Sequence, residues 1–168
     1  MSLNRSDRAT HRRGPEAGFT LTELMVVLVI AGIVTAVAIP GLNKFLRSVD
    51  LNGQIQQAAT MIRVVRQRAI SANNNYVVTW DAVIKGWGWY DDDNNNGVQD
   101  GTEKHLSPVA LPAWITVDNS LTNPFASPII TFLPNGSASE SGTCIYTNSD
   151  GYARSLSVVR PTGMVTVQ

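Results

Sequence analysis

The residues of this chain with the most obvious capacity for chemistry sit together in one acidic stretch, Asp92 to Glu103. Asp92, Asn94, Asn96, Gly97 and Glu103 stand at the spacing D-x-[DN]-x-[DN]-G-x5-E of a calcium loop, with Asp100 at the ninth place. Val98 is at the seventh place, where such loops use a backbone carbonyl. Alternate residues converge on one ion because the loop winds around it, the glycine permits the sharp turn, and the last carboxylate closes the shell. Calcium is therefore the one cofactor the residues suggest. Against it, no helix flanks the loop, and Gln99 replaces the usual apolar eighth residue. The alternative is a solvated hairpin rich in Asp, Asn and Gly. The spacing leaves both open.

A second carboxylate, Glu23, stands alone. It is followed by Leu24 to Ile39, sixteen residues with no charge and no side-chain amide. With the flanking residues 19–42 the stretch covers the roughly 20 residues that a helix needs to cross a hydrocarbon core. A buried helix of a soluble protein would show a polar face over that length, and none is present. Residues 1–18 carry Arg5, Arg8, Arg12 and Arg13 against Asp7 and Glu16, a net +2, while the remaining residues net −2. The basic side keeps the N-terminus in the cytoplasm, so everything after Leu42 lies outside, in a periplasmic or extracellular space. A carboxylate in hydrocarbon is costly and is normally paired and functional. The alternative for Glu23 is a side chain snorkelling to the interface.

An ordinary secretory signal would place a small-residue cleavage site after the apolar run. Here the run ends in Ile39-Pro40-Gly41 instead, and the junction before it reads Gly18-Phe19-Thr20-Leu21-Thr22-Glu23-Leu24. That junction resembles the class III signal of type IV prepilins and type II secretion pseudopilins: a glycine after a basic leader, a phenylalanine, a glutamate four residues on, and a long apolar helix. Gly32 and Pro40 also match helix-weakening positions of that family. The resemblance implies a membrane-embedded prepilin peptidase that cuts between Gly18 and Phe19 and N-methylates Phe19. The new amine of Phe19 would be the nearest cation to Glu23, and their pairing, within a subunit or between neighbours, would set register in a fibre.

Beyond the apolar run, Leu51, Ile55, Ala58, Ile62, Val65 and Ala69 recur at helical spacing, with Gln56, Thr60, Arg63 and Gln67 on the other face. Pro40 is expected to kink or break the helix near the membrane exit, and Asn73-Asn74-Asn75 to end it. Seven short strands are then expected over 76–80, 86–90, 114–117, 129–133, 143–147, 153–160 and 164–168, separated by turns such as Pro134-Asn135-Gly136, Ser149-Asp150-Gly151 and Pro161-Thr162-Gly163. No strand–helix–strand alternation appears, which argues for antiparallel sheets. The fold class is α+β: a long N-terminal helix, transmembrane and then amphipathic, followed by an antiparallel, β-sandwich-like head. The expected divisions are a cleaved basic leader 1–18, a transmembrane helix 19–42, its amphipathic continuation 43–75, and a β-rich periplasmic head 76–168.

The β region narrows the resemblance. The stretches from Arg66 to Trp80, Gly86 to Glu103 and Ile130 to Ala138, and the closing strand to Val167, are similar in order and spacing to the H-type pseudopilins and FimT-like minor pilins. Cys144 is the single cysteine, so the disulfide loop usual in major pilins is impossible, which favours a minor subunit. The resemblance implies a single-pass inner-membrane subunit of a short periplasmic fibre that helps drive protein export. Its partners would be the prepilin peptidase, other pseudopilins or minor pilins, and the membrane. A minor type IV pilin in pilus assembly, adhesion or DNA uptake is the alternative in the same class, and a membrane-anchored periplasmic binding module the alternative outside it. Nucleic acid is an unfavourable partner, because Arg160 stands alone before Gly163 and no base follows it, whereas phosphate binding needs several cations on one face. No catalytic motif is present: there is no G-x-S-x-G, no H-E-x-x-H and no phosphate-cradling glycine loop.

Overall fold

A computed structural model describes residues 18–118 and 129–168. The basic leader with its four arginines lies outside the described residues. The described residues form one helix and eight strands, and the chain divides into two compact units, residues 1–41 and 42–168.

Helix α1 (Leu21–Ala72) follows Thr20 and runs through Pro40 without a break. Of the expected kink or break at Pro40, the break is absent. Proline removes one backbone donor, the one that would reach Ala36, and the α-helical bonds on either side carry the helix across that single loss. The first part of α1 is long and apolar enough to cross a membrane, and its side chains are exposed throughout.

In the second unit α1 becomes amphipathic. Leu51, Ile55, Ala58, Ala59, Ile62, Val65 and Ala69 are all buried, whereas Gln56, Thr60, Arg63 and Gln67 are exposed. Each fully buried Leu, Ile or Val contributes about 1.5–3 kcal/mol, more than any propensity difference along the segment, so packing decides which face turns inward. The helix stops in a Schellman motif. Asn73 takes a left-handed φ of 52°, its N–H donates to Ile70 O, and the Asn74 N–H donates to Ala69 O.

The strands are β1 (Asn75–Asp81), β2 (Gly86–Asp92), β3 (His105–Leu106), β4 (Ile115–Asp118), β5 (Ile129–Phe132), β6 (Gly142–Asn148), β7 (Ala153–Val159) and β8 (Met164–Val167). They make two four-stranded antiparallel sheets, in the orders β3-β2-β1-β5 and β4-β6-β7-β8. Both sheets share one core with the buried stripe of α1: Tyr76, Val78, Ile130 and Phe132 from the first sheet, Ile115, Cys144, Tyr146, Leu156 and Val158 from the second. A hydrogen bond from Trp87 Nε1–H to the Tyr146 hydroxyl (2.6 Å) joins them.

Strand β3 has no counterpart in the sequence reading. Two residues are too few to show a period. The available sign is the Gly-Trp-Gly-Trp of β2. A Cβ on Gly86 would lie 2.3 Å from Val109 O, and one on Gly88 would lie 2.7 Å from Leu106 O. Only glycine lets the returning chain lie this close to β2.

Candidate functional site

Two places hold the residues singled out above: the junction ahead of the apolar helix and the acidic loop between β2 and β3. At the junction Phe19 is exposed and Thr20 is the N-cap of α1. The Thr20 N–H and hydroxyl both donate to Glu23 Oε2 (2.9 and 2.8 Å). In return the Glu23 N–H donates to Thr20 Oγ1 (3.2 Å), and the first helical bond runs from the Leu24 N–H to Thr20 O. This is a capping box, in which cap hydroxyl and N3 carboxylate satisfy each other's orphan donors. Glu23 is thus engaged within its own first turn of helix. Thr20 went unnoticed in the sequence reading, although Thr-x-x-Glu ahead of an apolar run is a recognisable start signal.

The acidic loop is built on the face of the first sheet that turns away from α1. Register pairs Val77 with Tyr90 and Asn75 with Asp92, so these side chains share that face, while Tyr76, Val78 and Trp89 face the helix. Asp92 and Glu103 are buried, at 3% and 6% exposure. Asp92 accepts from the backbone N–H groups of Asn96 (2.9 Å) and Gly97 (3.0 Å). Glu103 accepts from those of Asp93 (3.2 Å) and Asp100 (2.9 Å). Asp100 Oδ2 accepts from the side-chain amides of Asn94 (2.6 Å) and Asn96 (3.1 Å). The left-handed residues Asn95 and Gly97 make the reversal, and the Tyr90 hydroxyl donates to Gly97 O (2.8 Å), tying the loop to the sheet. Burial, reinforced by the Asp92 and Glu103 carboxylates, pushes the Tyr90 phenol up, so it stays a donor.

The structure therefore brings together Asp92, Asn94, Asn96, Asp100 and Glu103. The Val98 side chain is exposed, and its N–H donates to Asn96 Oδ1. Each carboxylate accepts N–H donors from the loop itself. Among the described residues no group of three or more His, Cys, Asp or Glu side chains is disposed to hold a metal ion.

A model of the prokaryotic N-terminal methylation motif matches residues 13–39, which include Gly18, Phe19 and Glu23. A model of the type II transport protein GspH matches residues 54–162, about two thirds of the chain. The chain belongs to the GspH family. No curated protein matches it. Among solved structures, the GspH-family chain is similar to the type IV minor pilin FimU of Pseudomonas aeruginosa, at 18% identity and a TM-score of 0.56, covering 74% of this chain and 92% of that one. It is also similar to the minor pseudopilin EpsH from the type 2 secretion system of Vibrio cholerae, at 13% identity and a TM-score of 0.50, covering 68% and 92%. At these identities the likeness is one of fold: a long N-terminal helix followed by antiparallel sheets.

Proposed function

We propose that this GspH-family chain is a minor pseudopilin of a type II secretion system, made as a membrane-anchored precursor and built into a short periplasmic fibre. The observation that carries this reading is the order of the two matches along one chain, a methylation motif at 13–39 followed by the GspH family over 54–162. The helix bears the same division, with an apolar exposed first part and an amphipathic part packed into the head. The work is structural. The apolar helix joins other pilin-like helices, and the head faces outward to neighbouring subunits.

In this reading a prepilin peptidase cuts after Gly18 and methylates Phe19, and the N-terminus lies on the cytoplasmic side of the inner membrane. Cleavage creates an amine four residues from Glu23. That amine, or a neighbour's, competes with Thr20 for the carboxylate, so processing and docking exchange a local cap for a charge pair within a subunit or between neighbours. For the acidic loop we propose a structural role as a self-capped hairpin. Its buried carboxylates already accept the loop's own N–H groups, and calcium binding is the alternative that a melting experiment separates. A role as minor type IV pilin is the second reading, favoured by the likeness to FimU.

The test is a Glu23→Val variant beside wild type in cells with an active prepilin peptidase. Mass spectrometry should show both chains starting at N-methylated Phe19. Wild type should co-purify with partner subunits in sheared fibres, and the variant should not. A wild-type chain retaining residues 1–18 defeats the processing reading, and equal incorporation of both defeats the role of Glu23. Loss of protein export on deletion, with pili intact, separates secretion from pilus function.

A further inference from the structure

Two arginines of α1 carry charge that the head does not neutralise. Arg63 and Arg66 line an open groove with Thr162, Gly163, Met164 and Val165. A guanidinium has five N–H donors. Arg63 uses Nε and Nη2 on Val165 O (3.4 and 3.0 Å), and Arg66 uses Nε on Gly136 O (2.8 Å). Among the described residues both donate to main-chain carbonyls only, and no carboxylate lies within ion-pair distance of either. Residues three apart on a helix are neighbours, so the two like charges repel. The turns beside them hold them there. Arg66 passes between Gly136 and Gly163, where an added Cβ would lie 3.1 Å from Nη2 and 2.8 Å from Nε respectively.

We propose that this groove takes the acidic β2–β3 loop of a second copy, with Asp93 and Asp100 set against Arg63 and Arg66. The proposal rests on the fibre reading above and names one contact between heads within it.

The loop has the matching charge in the matching number. Residues 91–104 hold five carboxylates against Lys104, a net −4. Asp92 and Glu103 are turned into the loop's own N–H groups. Asp93 is exposed and Asp100 half-buried. Asp93 Oδ1 accepts from the Asn74 side-chain amide (2.8 Å), and Asp100 Oδ2 from those of Asn94 and Asn96. Among the described residues the other oxygens, Asp93 Oδ2 and Asp100 Oδ1, accept no hydrogen bond. Two tethered carboxylates thus match two tethered guanidiniums with unused donors. Groups already fixed in place lose little freedom on meeting.

Topology keeps the two sites apart within one chain. In the order β3-β2-β1-β5 the acidic loop is at one edge of the first sheet. The turn carrying Gly136 follows β5 at the other edge, across three strand spacings of about 4.8 Å. Asp92 opposes Asn75 and Phe132 opposes Tyr76, so both sites lie at the same end of the sheet. Unlike patches on opposite edges make a heterologous contact, which repeats from copy to copy and does not close as a two-fold pair does. A fibre is built from contacts of that kind. Nucleic acid is the competing occupant. The second copy is favoured because two guanidiniums are few for a phosphate backbone, and because the complementary carboxylates are present on the chain itself.

The experiment is sedimentation velocity on the full chain in a neutral detergent, at one chain per micelle. In about 0.01 M salt, where the Debye length is about 30 Å, wild type should sediment faster as its concentration rises. In about 1 M salt, where that length is about 3 Å, it should not. R63E and D93R should each weaken association roughly tenfold or more. An equimolar mixture of the two should regain it, because the loop of R63E and the groove of D93R are intact. D93N keeps the acceptor for Asn74 and should weaken association by less than D93R does. Wild type that stays monomeric at low salt, or association unchanged in R63E or in D93N, overturns the proposal. Monomeric wild type that binds a single-stranded oligonucleotide assigns the groove to phosphate and overturns it as well. A chain that is processed at Phe19 and co-purifies in fibres while its heads stay monomeric overturns this contact alone. A chain that is never processed instead defeats the reading on which the proposal rests.

Discussion

Asp92 is the residue whose replacement most directly tests the acidic loop. Its carboxylate is 3% exposed and receives the Asn96 and Gly97 N–H groups at 2.9 and 3.0 Å. Asp92→Ala removes both acceptors at once. Hydrogen bonds to a charged group contribute about 1.5–3 kcal/mol each when their donors are buried. Asn96 and Gly97 are themselves exposed, so water recovers part of the loss, and the net cost is about 2 kcal/mol, at the upper end of what loss of a capping side chain produces. In a head fragment of residues 43–168 that amounts to a melting temperature lower by roughly 6–12 °C. Asp92→Asn keeps one acceptor oxygen and should lose about half as much. Melts by circular dichroism should be run with EDTA and with calcium up to the ~1 mM range, where extracellular calcium modules bind. A self-capped hairpin gives equal wild-type melting temperatures in the two conditions. The reasoning is refuted if Asp92→Ala melts within 1–2 °C of wild type, an order of effect typical of an ordinary surface change. A wild-type midpoint that rises with calcium, with the rise lost in Asp92→Ala, would assign the loop to the ion.

Two further outcomes follow from the head. Gly163 has φ +59°, and an added Cβ would lie 2.2 Å from Gly136 O with the Arg66 side chain close behind, whereas Gly151 has φ +83° and open space around it. Gly151→Ala should therefore cost only the backbone strain, about 1 kcal/mol, and Gly163→Ala about 1–3 kcal/mol more for the clash. Equal losses in urea titration would contradict that ordering. Burial pushes the Cys144 thiol from 9.0 up to about 12 and raises the Tyr146 phenol as well. The unfolded chain gives up these protons first, so the contribution of these two groups is constant below pH 8 and falls from about pH 9 towards 12, by up to about 1.4 kcal/mol per pH unit for each group. Cys144→Ala should flatten the slope between pH 9 and 10, and an unchanged slope there would show that the buried thiol is not its source.

Much of this protein is legible in its sequence because the signals concerned are local. Glu23, the uncharged run after it and the stripe from Leu51 to Ala69 are periodic or contiguous features, and every residue of that stripe is buried along α1, with Ala59 added beside it. Seven of the eight strands among the described residues appear where β-branched and aromatic residues lie between turn residues, because a strand half-buried on a sheet needs both. Pro40 marks the limit of such rules, since one lost donor does not end a helix whose other bonds are intact.

Only the tertiary structure decided which strands are neighbours. β5 joins β1 across more than forty residues and β4 joins β6, pairings set by shared burial against one helix face and not by any short-range pattern. It also decided what the acidic loop does with its charges. Spacing placed Asp92, Asn94, Asn96, Asp100 and Glu103 on one loop, but their partners depend on backbone reversals at Asn95 and Gly97 that turn N–H groups inward. Trp114 and Val49, distant in sequence and ordinary in type, line one groove only because β4 returns to the start of the head's helix. A periodicity reports what one element buries. Which element it meets is a property of the whole chain.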